Sequence, residues 1–218
     1  MSTLNVDNIN EYTTDGKVNV GHDIKLASGK SVLNSDGKST GVLVKLASTT
    51  ASNDAAITFD NFVDTSTYSH YKVVLDSILP ETNNVSFQFK FRTGGASGAD
   101  KTGTYARGYA YNYLETSSSN VGARQSTTDY GNISGNVGNA GGSQHALQAS
   151  GNFFSGNGTN STAILDIPFT QRQSTGNVVG YIQNAIAVEN LFTCTGLKFY
   201  MSSGNIASGS IHIYGVSK

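Results

Sequence analysis

The 218-residue chain has little of what several common protein classes depend on. It contains one cysteine, two prolines and no tryptophan, and only 13% of its residues are charged. The single cysteine, Cys194, excludes an internal disulfide bond, and its neighbours Leu191 and Phe192 indicate that the thiol is buried. No apolar run approaches the roughly 20 residues that a membrane-spanning helix requires, so we expect no membrane insertion.

The charges are too evenly balanced to suggest a nucleic-acid partner. Fourteen basic and fifteen acidic residues give a net charge of −1, and no cluster of Lys and Arg forms a surface for phosphates. The first residues, Met1 to Asp7, lack the basic and apolar regions of a signal peptide. We therefore expect synthesis and assembly in a cytoplasm, without a nucleic-acid partner.

Residues that suit strands and turns are abundant instead. Gly, Ser, Thr and Asn favour turns, whereas Tyr, Phe, Val, Ile and Thr fit a pleated, half-buried surface. This balance and the absence of a clear amphipathic helix predict an all-β chain. We expect an antiparallel β-sandwich, jelly-roll-like, over residues 42–218, preceded by an extended segment of short strands over residues 1–41.

The predicted N-terminal segment consists of short apolar pieces separated by three Gly-Lys turns. These pieces are too small to offset a backbone ordering cost of roughly 1 to 2 kcal/mol per residue. Copies wound about a common axis would bury them, which favours a homotrimer; an unstructured leader is the alternative. The predicted trimer contacts are Val18, Val20, Ile24, Leu26, Val32 and Leu33.

The sandwich is predicted from several strand patterns. Apolar residues occupy every odd position from Val85 to Phe91, which is the period of a half-buried strand. Residues 147–154, 163–169 and 178–188 are further strands, and residues 197–216 form a closing hairpin. The Ser-, Asn- and Gly-rich residues 115–160 are predicted to be mainly loops.

Tyrosines alternate along one predicted strand, at Tyr109, Tyr111 and Tyr113, with Arg107 on the same side. Such a row suits three roles: core packing, an intersubunit contact or a platform for a sugar. Asn132 and Asn136 lie in the adjacent polar segment and are the other candidate binding residues.

Catalytic and metal-binding motifs are weak by comparison. The four glutamates are widely spaced, the four histidines lack metal-ligand spacing, and Gly37 to Gly41 meets neither the phosphate-loop nor the nucleophile-elbow pattern in context. We therefore predict no enzyme activity, no cofactor and no metal site. A polysaccharide depolymerase remains the alternative from the enzyme class.

The C-terminus resembles a family of bacteriophage virion proteins that end in an S-G-x-I-x-x-Y-G phrase. Ser208, Gly209, Ile211, Tyr214 and Gly215 match this phrase. Upstream, residues 58–62 and the Tyr68 to Leu75 segment are similar to the opening of the same family. Residues 23–34 are similar to shaft or attachment segments of tail fibres, especially those of marine and cyanobacterial phages. The chain departs from the family in having Tyr181 where many relatives have tryptophan.

This resemblance implies a location in the virion, a β-sandwich head and a trimer. It implies a tail-fibre or appendage subunit attached to other virion proteins through residues 1–41, with host-surface glycan as a further expected partner. A capsid decoration, collar or tail-joint protein without receptor binding is the alternative. The matched motifs carry no catalytic residue.

Overall fold

Nearly all residues that the structure describes belong to strands or their connections. The computed structural model describes residues 43–113, 119–139, 146–173 and 178–218, and within them it contains no α-helix. The strands are β1 Leu43–Thr50, β2 Ile57–Phe59, β3 Tyr68–Pro80, β4 Val85–Thr93, β5 Ala99–Asp100, β6 Thr104–Tyr113, β7 Ser119–Thr128, β8 Gly131–Val137, β9 Leu147–Phe154, β10 Ile164–Asp166, β11 Phe169–Arg172, β12 Val178–Val188, β13 Gly196–Met201 and β14 Ile206–Ser217. The predicted all-β class is confirmed. The predicted segment 1–41, with its trimer contacts, lies outside the described residues.

The strands form two antiparallel sheets of unequal size. The larger sheet has nine strands in the order β1-β14-β3-β9-β10-β12-β6-β7, with β11 beside β9 and β12. The smaller sheet has five strands in the order β2-β13-β4-β5, with β8 also paired to β4. The sheets pack face to face, so the predicted sandwich is confirmed. The two sheets contain fourteen strands, whereas a jelly roll has eight.

The core lies between the sheets and is rich in aromatic side chains. The predicted alternation of β4 is confirmed, since Phe87, Phe89 and Phe91 are all fully buried. Phe199 of β13 stacks on Phe87 with ring centroids 6.0 Å apart. Tyr105 of β6 stacks on Phe91 at 5.7 Å from the opposite sheet, so aromatic contacts cross the sandwich.

Tyr105 also connects the sheets through its hydroxyl group. The hydroxyl donates to the Lys101 carbonyl at 2.9 Å and accepts from the Phe91 backbone N–H at 3.1 Å. Burial raises the pKa of Tyr105 well above its ordinary value of 10.0. Tyr105 therefore stays protonated and belongs to the core.

The two glycines of the C-terminal phrase have structural roles. Gly209 adopts φ +114° at a bulge in β14, where a Cβ atom would lie 2.7 Å from the Ser77 carbonyl oxygen. A Cβ atom on Gly215 would lie 2.4 Å from the ring of Tyr68. Because both positions exclude a side chain, the glycines allow β14 to bend and to pack beneath an aromatic ring.

The predicted C-terminal hairpin is wrong. β13 pairs with β2 and β4 in the smaller sheet, whereas β14 pairs with β1 and β3 in the larger sheet. The turn at residues 202–205 thus carries the chain from one sheet to the other, a distance of about 10 Å. Local pattern does not distinguish these arrangements, because both place apolar residues of the two strands toward a common core.

The predicted strand over residues 147–154 is confirmed as β9, but the prediction that residues 115–160 are otherwise mainly loops is wrong. The described part of this region also contains β7 and β8. Ile133 and Val137 of β8 are fully buried. β8 pairs irregularly with β4, and Asn136 has φ 58° at one irregularity, so the turn-forming residues occupy bulges inside strands rather than loops.

Candidate binding surface

The described tyrosine side chains of β6 are buried near the start of the strand and half-buried toward its C-terminal end. Tyr105 and Arg107 are buried, whereas Tyr109 and Tyr111 on the same strand face are half-buried. The Tyr109 and Tyr111 rings are stacked, with centroids 6.1 Å apart and planes inclined by 19°. The Arg107 guanidinium lies 4.3 Å from the Tyr109 ring centroid. Arg107, Tyr109 and Tyr111 therefore form one ladder, in which a cation and two rings are stacked in succession.

Buried amides hold the cationic end of this ladder in place. Arg107 Nε donates to Asn184 Oδ1 of β12 at 2.7 Å. The Asn184 side-chain nitrogen donates in turn to the Ile133 and Ile167 carbonyl oxygens, both at 3.1 Å. Asn184 is fully buried and lies opposite Tyr109 in the strand pairing. The ladder is thus preorganised, since its base is hydrogen-bonded to three other strands or strand ends.

The two candidate asparagines do not join this ladder. Asn132 pairs with Gln88, whose neighbours Phe87 and Phe89 point into the core, so Asn132 lies on the outer face of the smaller sheet. Asn136 is exposed at the β8 bulge. The structure brings Tyr109 and Tyr111 together and separates them from Asn132 by the smaller sheet. Of Tyr113 only the backbone pairing, with Val179, is described.

Two groups of polar residues are not among the predicted site residues. The position of Arg107 beside a row of tyrosines marks it in the sequence. No local pattern marks Asn184, because its hydrogen-bond partner Arg107 is 77 residues away. The second group is an ion network on the outer face of the smaller sheet. It consists of Asp60, Lys90, Arg92, Asp100 and Lys198.

Arg92 lies at the centre of the ion network and contacts two carboxylates. Its Nε and Nη2 donate to Asp60 at 2.8 and 3.2 Å, and its Nη1 donates to Asp100. Lys90 and Lys198 approach the other Asp100 oxygen at 3.4 and 3.2 Å. Hydrogen bonding to Asp60 raises the pKa of Arg92 despite partial burial. Every charge of the network therefore has an opposite charge beside it.

Asp100 shows which effect dominates in the network. Burial, the largest single influence, would raise the pKa of this carboxyl group. Hydrogen bonds from Lys198 and Arg92, together with the charges of Lys198 and Lys90, outweigh burial and hold the pKa below its ordinary value. The neighbouring Tyr200 ring lies 5.9 Å from Lys198 Nζ, and burial raises the pKa of Tyr200 to about 12. Asp100 is thus ionised and Tyr200 neutral at physiological pH.

In the described part of the chain, no three or more His, Cys, Asp or Glu side chains are grouped so that they could hold a metal ion. The described residues also contain no helix that is long and apolar enough to cross a membrane. Cys194 is buried as predicted, and burial raises the pKa of its thiol to about 12.

The described residues thus define an antiparallel β-sandwich that presents a rigid aromatic ladder at one position and a paired ion network at another. No protein-family model, no curated protein and no solved structure matches the chain.

Proposed function

We propose that this chain is a non-enzymatic subunit of a bacteriophage appendage, such as a tail fibre, and that its sandwich binds glycan on the host surface. The observation that carries the binding role is the ladder of Arg107, Tyr109 and Tyr111. Tyrosine rings offer apolar surface to the C–H groups of a pyranose, while their hydroxyl groups and a guanidinium donate hydrogen bonds to its oxygens.

Rigidity is the second support for this role. A weak ligand loses less affinity to side-chain ordering when the aromatic groups are already stacked and the guanidinium is already hydrogen-bonded. The ladder meets both conditions, since Tyr109 is stacked on Tyr111 and Arg107 is bonded to Asn184. Display of several copies on one particle would then convert weak contacts into useful avidity.

The virion assignment is supported by the resemblance of the C-terminal phrase and by the structural constraints at the positions of its residues. Gly209 and Gly215 permit the bulge and the close packing that shape β14, and Ile211 lies in the core. These structural roles would explain why the phrase recurs in a family that shared this sandwich. The trimer and the attachment through residues 1–41 belong to the same proposal, with a mass of three times 22.9 kDa expected in light scattering at low protein concentration.

Glycan binding is tested with the full chain on immobilised bacterial lipopolysaccharides and capsular polysaccharides. We expect binding to at least one polysaccharide and a loss of affinity of at least tenfold, about 1.4 kcal/mol, in Tyr109→Ala and Tyr111→Ala. Tyr130→Ala is the matched control, because this half-buried tyrosine lies in the turn between β7 and β8, near the opposite end of β6.

Three results would count against the proposal in different ways. Equal affinity of all variants would remove the ladder from the binding site. Absence of binding to every polysaccharide would favour a capsid decoration, collar or tail-joint protein. Release of reducing sugar by the purified chain would replace adhesion with depolymerase activity.

A further inference from the structure

The outer face of the larger sheet carries two parallel rows of side chains that cross five central strands. Strand register places one residue of each row on β14, β3, β9, β10 and β12 in that order. The first row, the apolar row, consists of Val216, His70, Phe154, Ile164 and Ala187. The second row, the polar row, consists of Tyr214, Lys72, Asn152, Asp166 and Ala185.

Phe154 makes the apolar row unusual for a solvent-facing surface. It is 43% exposed and is one of three large apolar side chains that are exposed in the described part of the chain. Its ring stacks on His70 with centroids 5.4 Å apart and planes inclined by 22°. Ile164 lies on its other side in the strand pairing. The Phe154 ring thus lies between the His70 ring and Ile164 rather than standing as an isolated exposed residue.

The two rows are self-complementary about their central strand. β9 lies in the middle, with β3 and β10 as its direct neighbours and β14 and β12 one strand further out. A two-fold axis parallel to β9, in front of the sheet, would place each strand opposite the strand at the same distance on the other side. β3 would then face β10 of a second copy, and β14 would face β12, while each row stays opposite itself.

This arrangement places opposite charges of the two copies against each other. Lys72 on β3 and Asp166 on β10 occupy the same row, each one strand spacing of about 4.8 Å from β9. Under the two-fold axis, Lys72 of each copy faces Asp166 of the other, so two ion pairs form. Asn152, at the centre of the row, faces Asn152 of the second copy, and the two side-chain amides can hydrogen-bond to each other.

The arrangement also matches large side chains with small ones. Tyr214 and Val216 on β14 would lie against Ala185 and Ala187 on β12 of the second copy. Phe154 would meet the Phe154 ring of the other copy at the axis. Translation of one copy by a single strand would instead place Lys72 opposite Asn152 and would lose both ion pairs.

We propose that this face is a self-association surface on which a second copy of the chain docks about a two-fold axis parallel to β9. Five strands of about 4.8 Å spacing and 20 Å contact length give roughly 500 Å² per copy, near the lower limit for a specific interface. The twist of the sheets concentrates the contact near β9. Association is therefore reversible and depends on protein concentration.

The experiment measures the mass of the full chain by sedimentation velocity over a series of concentrations. The wild-type mass is expected to reach at least twice that of Lys72→Glu and of Asp166→Lys, because each variant places two pairs of like charges in the contact. Lys45→Glu is the matched control, since Lys45 lies in line with the polar row on β1 but faces no acidic residue under the axis.

Mixing the two variants gives the decisive result. In a mixed pair, the glutamate introduced in one chain faces the lysine introduced in the other, and the unchanged Lys72 and Asp166 face each other. The larger mass is therefore expected to return. Phe154→Ser, with unchanged circular dichroism, is expected to abolish association independently. Lack of concentration-dependent mass in the wild type, or variants that remain small after mixing, would overturn the proposal.

Discussion

The outer faces of the two sheets satisfy their side chains in opposite ways. On the smaller sheet, Arg92 and its partners form an ion network in which each charge contacts an opposite charge of the same chain. On the larger sheet, the apolar row exposes Phe154, and Lys72 is separated from Asp166 by an intervening strand. The charges of the first face are paired within one chain, whereas the exposed ring and the charges of the second face are covered and paired by a second copy. Faces that share one core can therefore have different relations to partners.

The largest expected effect separates the shared core from the outer faces. Phe91→Ala removes a fully buried ring whose centroid lies 4.9 Å from that of Phe89 and 5.7 Å from that of Tyr105. We expect the unfolding free energy to fall by about 3 to 5 kcal/mol. The matched variant Phe154→Ala, at low protein concentration, should cost under about 1 kcal/mol. Urea denaturation followed by circular dichroism measures both, and equal losses would contradict the assignment of inner and outer faces.

An intermediate effect is expected from the ion network. Arg92→Ala leaves Asp60 and Asp100 without their shared guanidinium, and we expect a loss of about 1 to 3 kcal/mol. Lys72→Ala on the larger sheet should change the stability of the single chain by less than about 0.5 kcal/mol. The same urea experiment checks both values. A similar small loss in both variants would show that the network contributes no more than an exposed lysine.

The smallest expected effect distinguishes two ways of lowering a carboxyl pKa. Hydrogen bonds from the Ser66 and Thr67 hydroxyl groups, joined by their backbone N–H groups, lower the pKa of Asp64 from 3.8 to about 2. Asp100 depends instead on Lys198 and Arg92. Added salt should raise the pKa of Asp100 toward its ordinary value and leave that of Asp64 unchanged, because salt screens charges but not neutral donors. Carboxyl carbon shifts in an NMR titration measure this difference.

Because the pKa of Asp64 is lowered in the folded state, this carboxylate stabilises the fold at neutral pH and loses that effect in acid. Its contribution is fully present above the unfolded value of 3.8 and is lost as pH falls toward 2. Asp64→Asn should therefore reduce the fall in unfolding free energy between these pH values. An unchanged slope in that window would contradict the hydrogen-bonded turn.

Strands with a clear local pattern were predictable from the sequence, and those without one were not. The alternation around Phe89 and the apolar stretch of residues 178–188 correctly predicted β4 and β12. β7 has no such alternation in its sequence, and it lies at an edge of the larger sheet. β8 is interrupted by bulges, which shift the side-chain period that the prediction relies on.

The candidate site was predictable only in part for the same reason. Tyr109 and Tyr111 share a face because residues two apart on a strand always do, so their proximity follows from the sequence. Their partner Asn184 is brought opposite by sheet pairing across a large part of the chain. Asn132 is near the ladder in sequence terms, yet lies on the other face of a different sheet.

Composition and local periodicity determined by themselves that the described chain is all-β, that the odd positions of β4 face a core and that Cys194 is buried. These properties depend on turn propensity, side-chain alternation and hydrophobicity, which act over a few residues. Only the tertiary structure decided that β13 and β14 belong to different sheets, that Asn184 holds Arg107, and that Lys72 and Asp166 flank β9 symmetrically. These depend on which distant strands pair, and pairing minimises the free energy of the whole sandwich rather than of any one segment.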